Sequence, residues 1–234
     1  MNNINEVLPL NYFDNLPDNV RILMIFLACR IDNKLNISDI MNKIKKTNDP
    51  EFICIRIRTH ITKFKTIKKV NVIVDEKTGL FQITGHSIEN IHETINKMID
   101  ICKHTEFTIN NLSEFKINYL NFSIESPVIG FDMNKLYKQL KTNNYDCNYD
   151  PSTFAGMYVV YNNEIIGTKV SIYIFRSGHI LTTGATRREH ITEIYKFINE
   201  LIHIPNLNSD SEYLHSLDTK DYYDLTNINM EIEI

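Results

Sequence analysis

Tryptophan is absent, glycine and proline are scarce (7 and 6 in 234 residues), and alanine occurs only at Ala28, Ala155 and Ala185. So little glycine and proline, beside 43% hydrophobic residues, excludes a collagen-like fibre or a low-complexity disordered chain, and most of the sequence is expected to fold. The shortage of alanine among abundant Ile, Asn and Lys fits an AT-rich codon supply rather than a structural demand. Cysteine is confined to Cys29, Cys54, Cys102 and Cys147 with no short paired spacing, which argues against a zinc cluster or a disulfide framework and leaves reduced, mostly buried thiols. No apolar run reaches membrane-spanning length, and the opening MNNINEVLPL lacks a basic region ahead of an apolar one, so a soluble intracellular protein without a membrane partner is expected. An excess of positive charge is lacking too: the formal net charge is −4, so any surface for nucleic acid must be local. No histidine pair has metal-ligand spacing, and no Ser, His and Asp set or glycine-rich phosphate loop occurs, so no catalytic residues, cofactor or small-molecule substrate are expected.

What the chain does have is an internal repeat. VNVIVDEKTGLFQITGHS, from Val70, aligns with VSIYIFRSGHILTTGAT, from Val170, so that Gly79, Thr84, Gly85 and Ser87 match Gly178, Thr183, Gly184 and Thr186 at one common offset. Asp49-Pro50 with Phe52 likewise resembles Asp150-Pro151 with Phe154. Each copy reads as strand, helix, several strands, then a long helix. In the first copy, Arg21 to Cys29 is an apolar strand, and Ile37 to Lys46 is a helix capped by Asn36. Phe52 to Arg58 alternates as a strand, and Val70–Val74 with Leu80–Thr84 predicts a hairpin closed by Asp75 to Gly79. The basic cluster Lys63 to Lys69 reads as a loop inserted before Val70. Ser87 caps a helix burying Ile88, Ile91, Ile95, Met98 and Cys102; Thr186 to Glu189 predicts a capping box ahead of Ile191, Ile194, Tyr195, Ile198 and Leu201.

The organisation expected is an N-terminal extension (1–19), a first repeat (20–102), a connector (103–115), a second repeat (116–205) and an acidic tail (206–234). Two αβ units related by pseudo-symmetry should join into one α+β saddle, a continuous curved antiparallel sheet with helices on its convex face. The concave face is left uncovered. On it, strand alternation aligns Leu80, Gln82 and Thr84, and likewise His179, Leu181 and Thr183, while Phe81, Ile83 and Ile180 point to the helices.

IFRSGHILTTGA, from Ile174 to Ala185, closely resembles the IFxSGKxVxTGA signature of the TATA-box-binding protein family. REHITEIYKFINELI resembles that family's last helix, and YDPSTFAGM, from Tyr149, its YEPELFPGL segment. The resemblance spans about residues 20–102 and 116–202 and is strongest in the second half. It implies that the concave face binds the minor groove of AT-rich promoter DNA and bends it. This family is itself a reference case for groove kinking, in which phenylalanines wedge into base steps. Phe154 and Phe175 match one wedge pair, because a wedge must be large, apolar and free of hydrogen-bonding needs. Thr84 and Thr183 match the family's central threonines, whose short hydroxyls reach minor-groove acceptors.

Where the family has its first-repeat pair, Phe52 matches one member, and VIV followed by a longer loop leaves Val74 for the other. Asn19 and Asn118 are each one residue out of register with the family's asparagines, so Asn121 is the candidate. Arg56 lies near a basic position of the family. Asp150, Ser152, Gly156 and Met157 fall in the segment that implies contact with a transcription factor IIB-like protein, and through it the RNA polymerase machinery. Ser152 there replaces a glutamate and Ala155 a proline. The implied site of action is the nucleus or a viral factory, the codon bias fitting a large DNA virus. The acidic tail carries charge that can compete with DNA for the saddle. A protein-interaction scaffold that kept the saddle but lost DNA binding is the principal alternative, ahead of an accessory domain of an enzyme or a ligand-binding module.

Overall fold

In the computed structural model, residues 4–31, 38, 41–42, 44–45, 52–103 and 112–202 are described. Asn36 as a helix cap, the side chains of Arg56 and Cys102, and the acidic tail lie outside the described residues or side chains.

The strands are β1 (Val20–Ile31), β2 (Phe52–Arg58), β3 (Ile61–Thr66), β4 (Asn71–Asp75), β5 (Leu80–Gly85), β6 (Leu112–Glu125), β7 (Asp146–Asn148), β8 (Met157–Tyr161), β9 (Val170–Ile174) and β10 (His179–Ala185). They form a single 10-stranded sheet in the order β2-β3-β4-β5-β1-β6-β10-β9-β8-β7. Every pairing is antiparallel. Reading outward from the centre, β1-β5-β4-β3-β2 mirrors β6-β10-β9-β8-β7, which is the pseudo-twofold α+β saddle expected from the repeat. At the seam, β1 and β6 pair from Val20 opposite Ile124 to Ile31 opposite Leu112, with three register shifts. Irregularities of this kind increase local twist and bend a sheet.

Alternation separates the two faces. Ile25, Leu27 and Cys29 of β1, Phe81 and Ile83 of β5, Phe122 and Ile124 of β6, and Ile172 and Ile174 of β9 are at most 2% exposed and form the helix-covered face. Among the described residues, the long helices on that face are α2 (Ile88–Lys103) from the first half, and α3 (Met133–Thr142) and α4 (Arg188–Ile202) from the second. In α2, Ile88, Ile91, Ile95 and Met98 are buried at helical spacing, and Ser87 accepts from Asn90 N at 3.2 Å as the cap. Asp132 caps α3 by accepting from Lys135 N at 3.0 Å. The expected Thr186–Glu189 capping box gives way to tertiary partners at the start of α4. Arg188 N donates to Tyr12 Oη at 3.1 Å, and Thr186 N donates to His190 Nδ1 at 3.2 Å. Burial of His190 lowers its pKa, and Arg187 adds to the effect, so the ring stays neutral and able to accept.

The N-terminal segment crosses the helical side as a strap. It opens with α1 (Ile4–Val7), after which Leu8 is fully buried and its carbonyl lies 2.7 Å from His92 Nε2 on α2. Further along, Arg188 of α4 donates to the Asp14 carbonyl, and Asn19 bridges Tyr195 Oη (3.2 Å) and the Glu125 carbonyl (2.8 Å). Asn19 is thereby engaged in structure, away from the open face.

The structure corrects the reading of Lys63 to Lys69 as a loop in its first part: Lys63 to Thr66 are strand, and the turn before Val70 is confined to 67–69. Thr62, Phe64 and Thr66 are buried in alternation with Lys63 and Lys65, which makes β3 a strand paired to both β2 and β4. Three buried side chains at period two outweigh the depletion of lysine in strands, because the lysine stems stand on the open face. Phe122, fully buried on the central strand β6, carries the junction between the halves. Phe122→Ala is expected to cost about 3–5 kcal/mol. Urea titration would show this as a lower midpoint with little change in slope.

Candidate nucleic-acid interface

The face opposite the helices carries side chains of intermediate exposure from β1, β3 to β6 and β8 to β10, and exposed ones from β7. At its centre Met24 lies opposite Asn121 and Phe26 opposite Tyr119. The Phe26 and Tyr119 rings are stacked at 4.7 Å with an interplanar angle of 5°. Asn121 shares its face with Ser123 and Glu125, because Leu120, Phe122 and Ile124 point to the helices. Asn121 and Ser123 are 5% and 1% exposed, and Asn121 Oδ1 and Ser123 Oγ have no hydrogen-bond partner. Unpaired polar atoms on a shielded surface are costly until a ligand pairs them.

Flanking the seam, Leu80, Gln82 and Thr84 on β5 and Leu181 and Thr183 on β10 all stand on the open face, as alternation predicts. Thr84 lies opposite Phe26 and Asn71, and Thr183 opposite Ser171. His179 is on the same face but 9% exposed, its Nδ1 held 2.6 Å from Glu125 Oε1.

An aromatic cluster occupies the tip of the second half. Phe154 and Phe175 meet edge to face at 5.7 Å, and Phe154 also meets Tyr173 at 6.0 Å. Tyr173 in turn contacts Tyr158 at 5.3 Å, and Phe175 lies 6.1 Å from His179. Burial raises the Tyr173 pKa, with Tyr158 adding to the effect, so the phenol stays neutral. Sequence reasoning missed Tyr158 and Tyr173 as site residues, although Tyr173 stands two positions before Phe175 along the same stretch of chain and so shares its side.

Local backbone chemistry aims these rings. Phe175 to Gly178 form a tight turn, with Gly178 N donating to the Phe175 carbonyl at 3.0 Å. Gly178 has φ +90°, and a Cβ there would stand 2.6 Å from the Val128 carbonyl, so only glycine fits. Asp150 organises the loop bearing Phe154. Its Oδ1 accepts from Ser152 N at 3.0 Å and from Ser152 Oγ at 2.6 Å, while its carbonyl accepts from Phe154 N at 3.0 Å. Those Ser152 hydrogen bonds hold the Asp150 carboxyl below its ordinary pKa. Of the residues expected to meet a protein partner, Asp150 and Ser152 are exposed. Gly156 is buried beneath the two rings, and Met157 is fully buried, so Met157 is corrected from a contact to a core residue.

The first half differs at the equivalent tip. Val74 lies opposite Phe81 as Ile174 lies opposite Ile180, so the register equivalent of Phe175 is Asp75. Val74 itself is fully buried on the helical side, because a slip of one residue in a strand exchanges faces. Thr62 lies opposite Val74 as Met157 lies opposite Ile174, which sets Thr59 in the place of Phe154. Phe52 sits at the other end of this hairpin, opposite Thr66, and is only 7% exposed. β2 and β3 are the counterparts of β7 and β8 but are joined by a short turn at Thr59 and His60, so Phe52, at the far end of β2, lies away from the tip and in the core. Arg56 belongs to β2 by its backbone, opposite Thr62.

Gly156 is the residue on which the aromatic cluster closes. A Cβ there would come within 2.7 Å of Phe154 Cε1 and 2.8 Å of Phe175 Cε1. Gly156→Ala should therefore separate the rings and cost about 1–3 kcal/mol as overpacking. A changed near-ultraviolet circular dichroism spectrum and a lower urea midpoint would show it; an unaltered spectrum would contradict the packing described.

Residues 115–203 match the family described as "Transcription factor TFIID (or TATA-binding protein, TBP)". A "TATA-box-binding protein-like" protein of Acanthamoeba polyphaga mimivirus is 26% identical over 185 residues, covering 68% of this chain and 46% of the relative. The chain thus spans under half the length of that relative. The Methanococcus jannaschii TBP structure has the same fold, with a TM-score of 0.62 at 20% identity over 79% of this chain and 98% of that one. Taken with the saddle and its aromatic tip, these matches give the chain the fold of TATA-box-binding proteins and make its second half similar to that family.

Proposed function

We propose that the open face binds AT-rich promoter duplex through its minor groove and bends it, and that the protein serves transcription initiation by recruiting a transcription factor IIB-like partner and RNA polymerase. Similarity to a family of non-enzymatic DNA-binding factors supports the broader statement, a transcription-related DNA-binding factor. The observation that carries the finer reading is the pair Phe154 and Phe175, half-buried side by side on the tip of the open face. Neither ring needs a hydrogen bond, and together they present an apolar edge able to replace a stacked neighbour between base pairs. Asn121 and Ser123 supply unpaired polar atoms at the depth where a groove floor would lie. Asp150 and Ser152, exposed on the outer side of the loop, are the residues proposed to face the protein partner.

With Thr59 and Asp75 in place of phenylalanines, the first half has no wedge, so the bend should be concentrated at one end of the site. Unstacking a step costs a few kcal/mol, about what burying a phenylalanine returns and far more than a threonine or an aspartate offers. Glu125 and Asp146 on the open face, both acidic, favour the second reading of an interaction scaffold without DNA binding. Direct titration with duplex at moderate salt separates the two.

The bend is tested by energy transfer between the ends of a labelled AT-rich duplex. Wild-type protein should shorten the end-to-end distance, and Phe154→Ala with Phe175→Ala should remove most of the shortening; no change at saturating wild-type protein would refute the reading. Phe52→Ala should act differently. It should lower stability by about 3–5 kcal/mol as a core deletion, while folded protein bends DNA as before.

A further inference from the structure

The two halves of the open face differ in charge as well as in aromatic content. On the strands of the second half, that face carries Asn121, Ser123 and Glu125, then His179, Leu181 and Thr183, then Ser171 and Tyr173. Tyr158 and Val160 follow, with Asn148 and Asp146 opposite them on the edge strand. Glu125 and Asp146 are the charged carboxylates there, and no lysine or arginine stands among these strand positions. The first half carries the carboxylate of Asp75 at its tip but adds lysines that the second half lacks. Lys63 and Lys65 stand on the open face of β3, opposite Ile73 and Asn71 of β4, because Thr62, Phe64 and Thr66 take the helical side. Lys116 joins them at the seam, opposite Ala28. Lys68, by contrast, is drawn to the helical side, where Glu93 of α2 holds its ammonium. Among the described residues neither Lys63 nor Lys65 has an acidic partner, and alternate strand residues place their stems about 7 Å apart.

The geometry points to a division of labour that rests on the minor-groove reading: Lys63 and Lys65 anchor the phosphates of the duplex over the first half, while the aromatic tip of the second half deforms it. A carboxylate-bearing half repels phosphate and relies on apolar insertion; a lysine-bearing half releases counterions and needs no deformation. The hairpin of β2 and β3 turns through Thr59 and His60 without room for a ring-bearing loop like that of residues 149–156, so the anchor occupies the end where a wedge is missing. A saddle so polarised sits on DNA in one orientation, its lysines toward one flank and its kink at the other.

The test uses the full chain, an AT-rich duplex carrying 2-aminopurine at either end of the site, and a salt series. Lys63→Gln with Lys65→Gln should reduce the slope of log affinity against log salt by about 1.8, since each phosphate left without its lysine takes about 0.9 from the slope. Hydroxyl-radical protection of the flank away from the kink should weaken, while 2-aminopurine fluorescence at the kinked end, at saturating protein, should match wild type. Lys68→Gln, whose ammonium faces α2, should leave the slope unchanged. If wild type binds and kinks DNA but the double variant keeps the full slope and footprint, the lysine anchor is refuted and the minor-groove reading stands. If wild type neither binds nor kinks, the minor-groove reading falls and the anchor with it.

Discussion

Everything in this molecule depends on the pairing of β1 with β6. Strands of 12 and 14 residues run side by side through the centre of the sheet, and each continues outward into its own half. Without that pairing each half would expose a long apolar edge, a hazard that an antiparallel seam removes by satisfying both rows of backbone groups at once. The register shifts along it bend the sheet, and the bend gives one face a hollow and the other a bulge large enough to seat α2, α3 and α4. Both the open face and the helical layer follow from a single ladder of hydrogen bonds.

Symmetry of backbone has not kept symmetry of chemistry. The mirrored strand order survives because both copies alternate apolar residues toward the helices, a demand set by burial and indifferent to what stands on the other face. The open face is free of that demand and has diverged. Asn121 in one half corresponds through the strand register to Phe26 in the other, and the aromatic tip of one half faces a tip built from Thr59 and Asp75. Function on such a scaffold is carried by residues that contribute little to the core.

How much of this was legible in the sequence varied with how local the signal was. The second half was readable because its turn glycines, its alternation and its motif agree, and Phe154, Phe175, Leu181 and Thr183 fall on the expected face. At the first tip the sequence offered Phe52 behind an Asp-Pro pair, and a motif match cannot register that the loop corresponding to 149–156 is a two-residue turn; only the pairing of β2 with β3 reveals that Phe52 is at the wrong end. Val74 failed by one position, the smallest error that exchanges faces. Thr186 to Glu189 is a sound local capping signal, yet the N–H of Arg188 is taken by Tyr12, 176 residues away. No local pattern encodes a partner at that separation. Asn121 was found by parity, whereas its unpaired Oδ1 and the Phe26–Tyr119 stack depend on how two distant strands meet.

The N-terminal strap has a mechanical consequence. By touching α2 through Leu8 and His92, and α4 through Tyr12, Asp14 and Arg188, it ties the outer layers of both halves together on the side away from the hollow. A protein pressed against a stiff rod behaves as one of two springs in series, and the softer spring takes most of the strain. A tie placed on the outer curve resists the halves hinging about their seam. The strap therefore raises the stiffness of the protein spring and leaves the load with whatever the hollow grips.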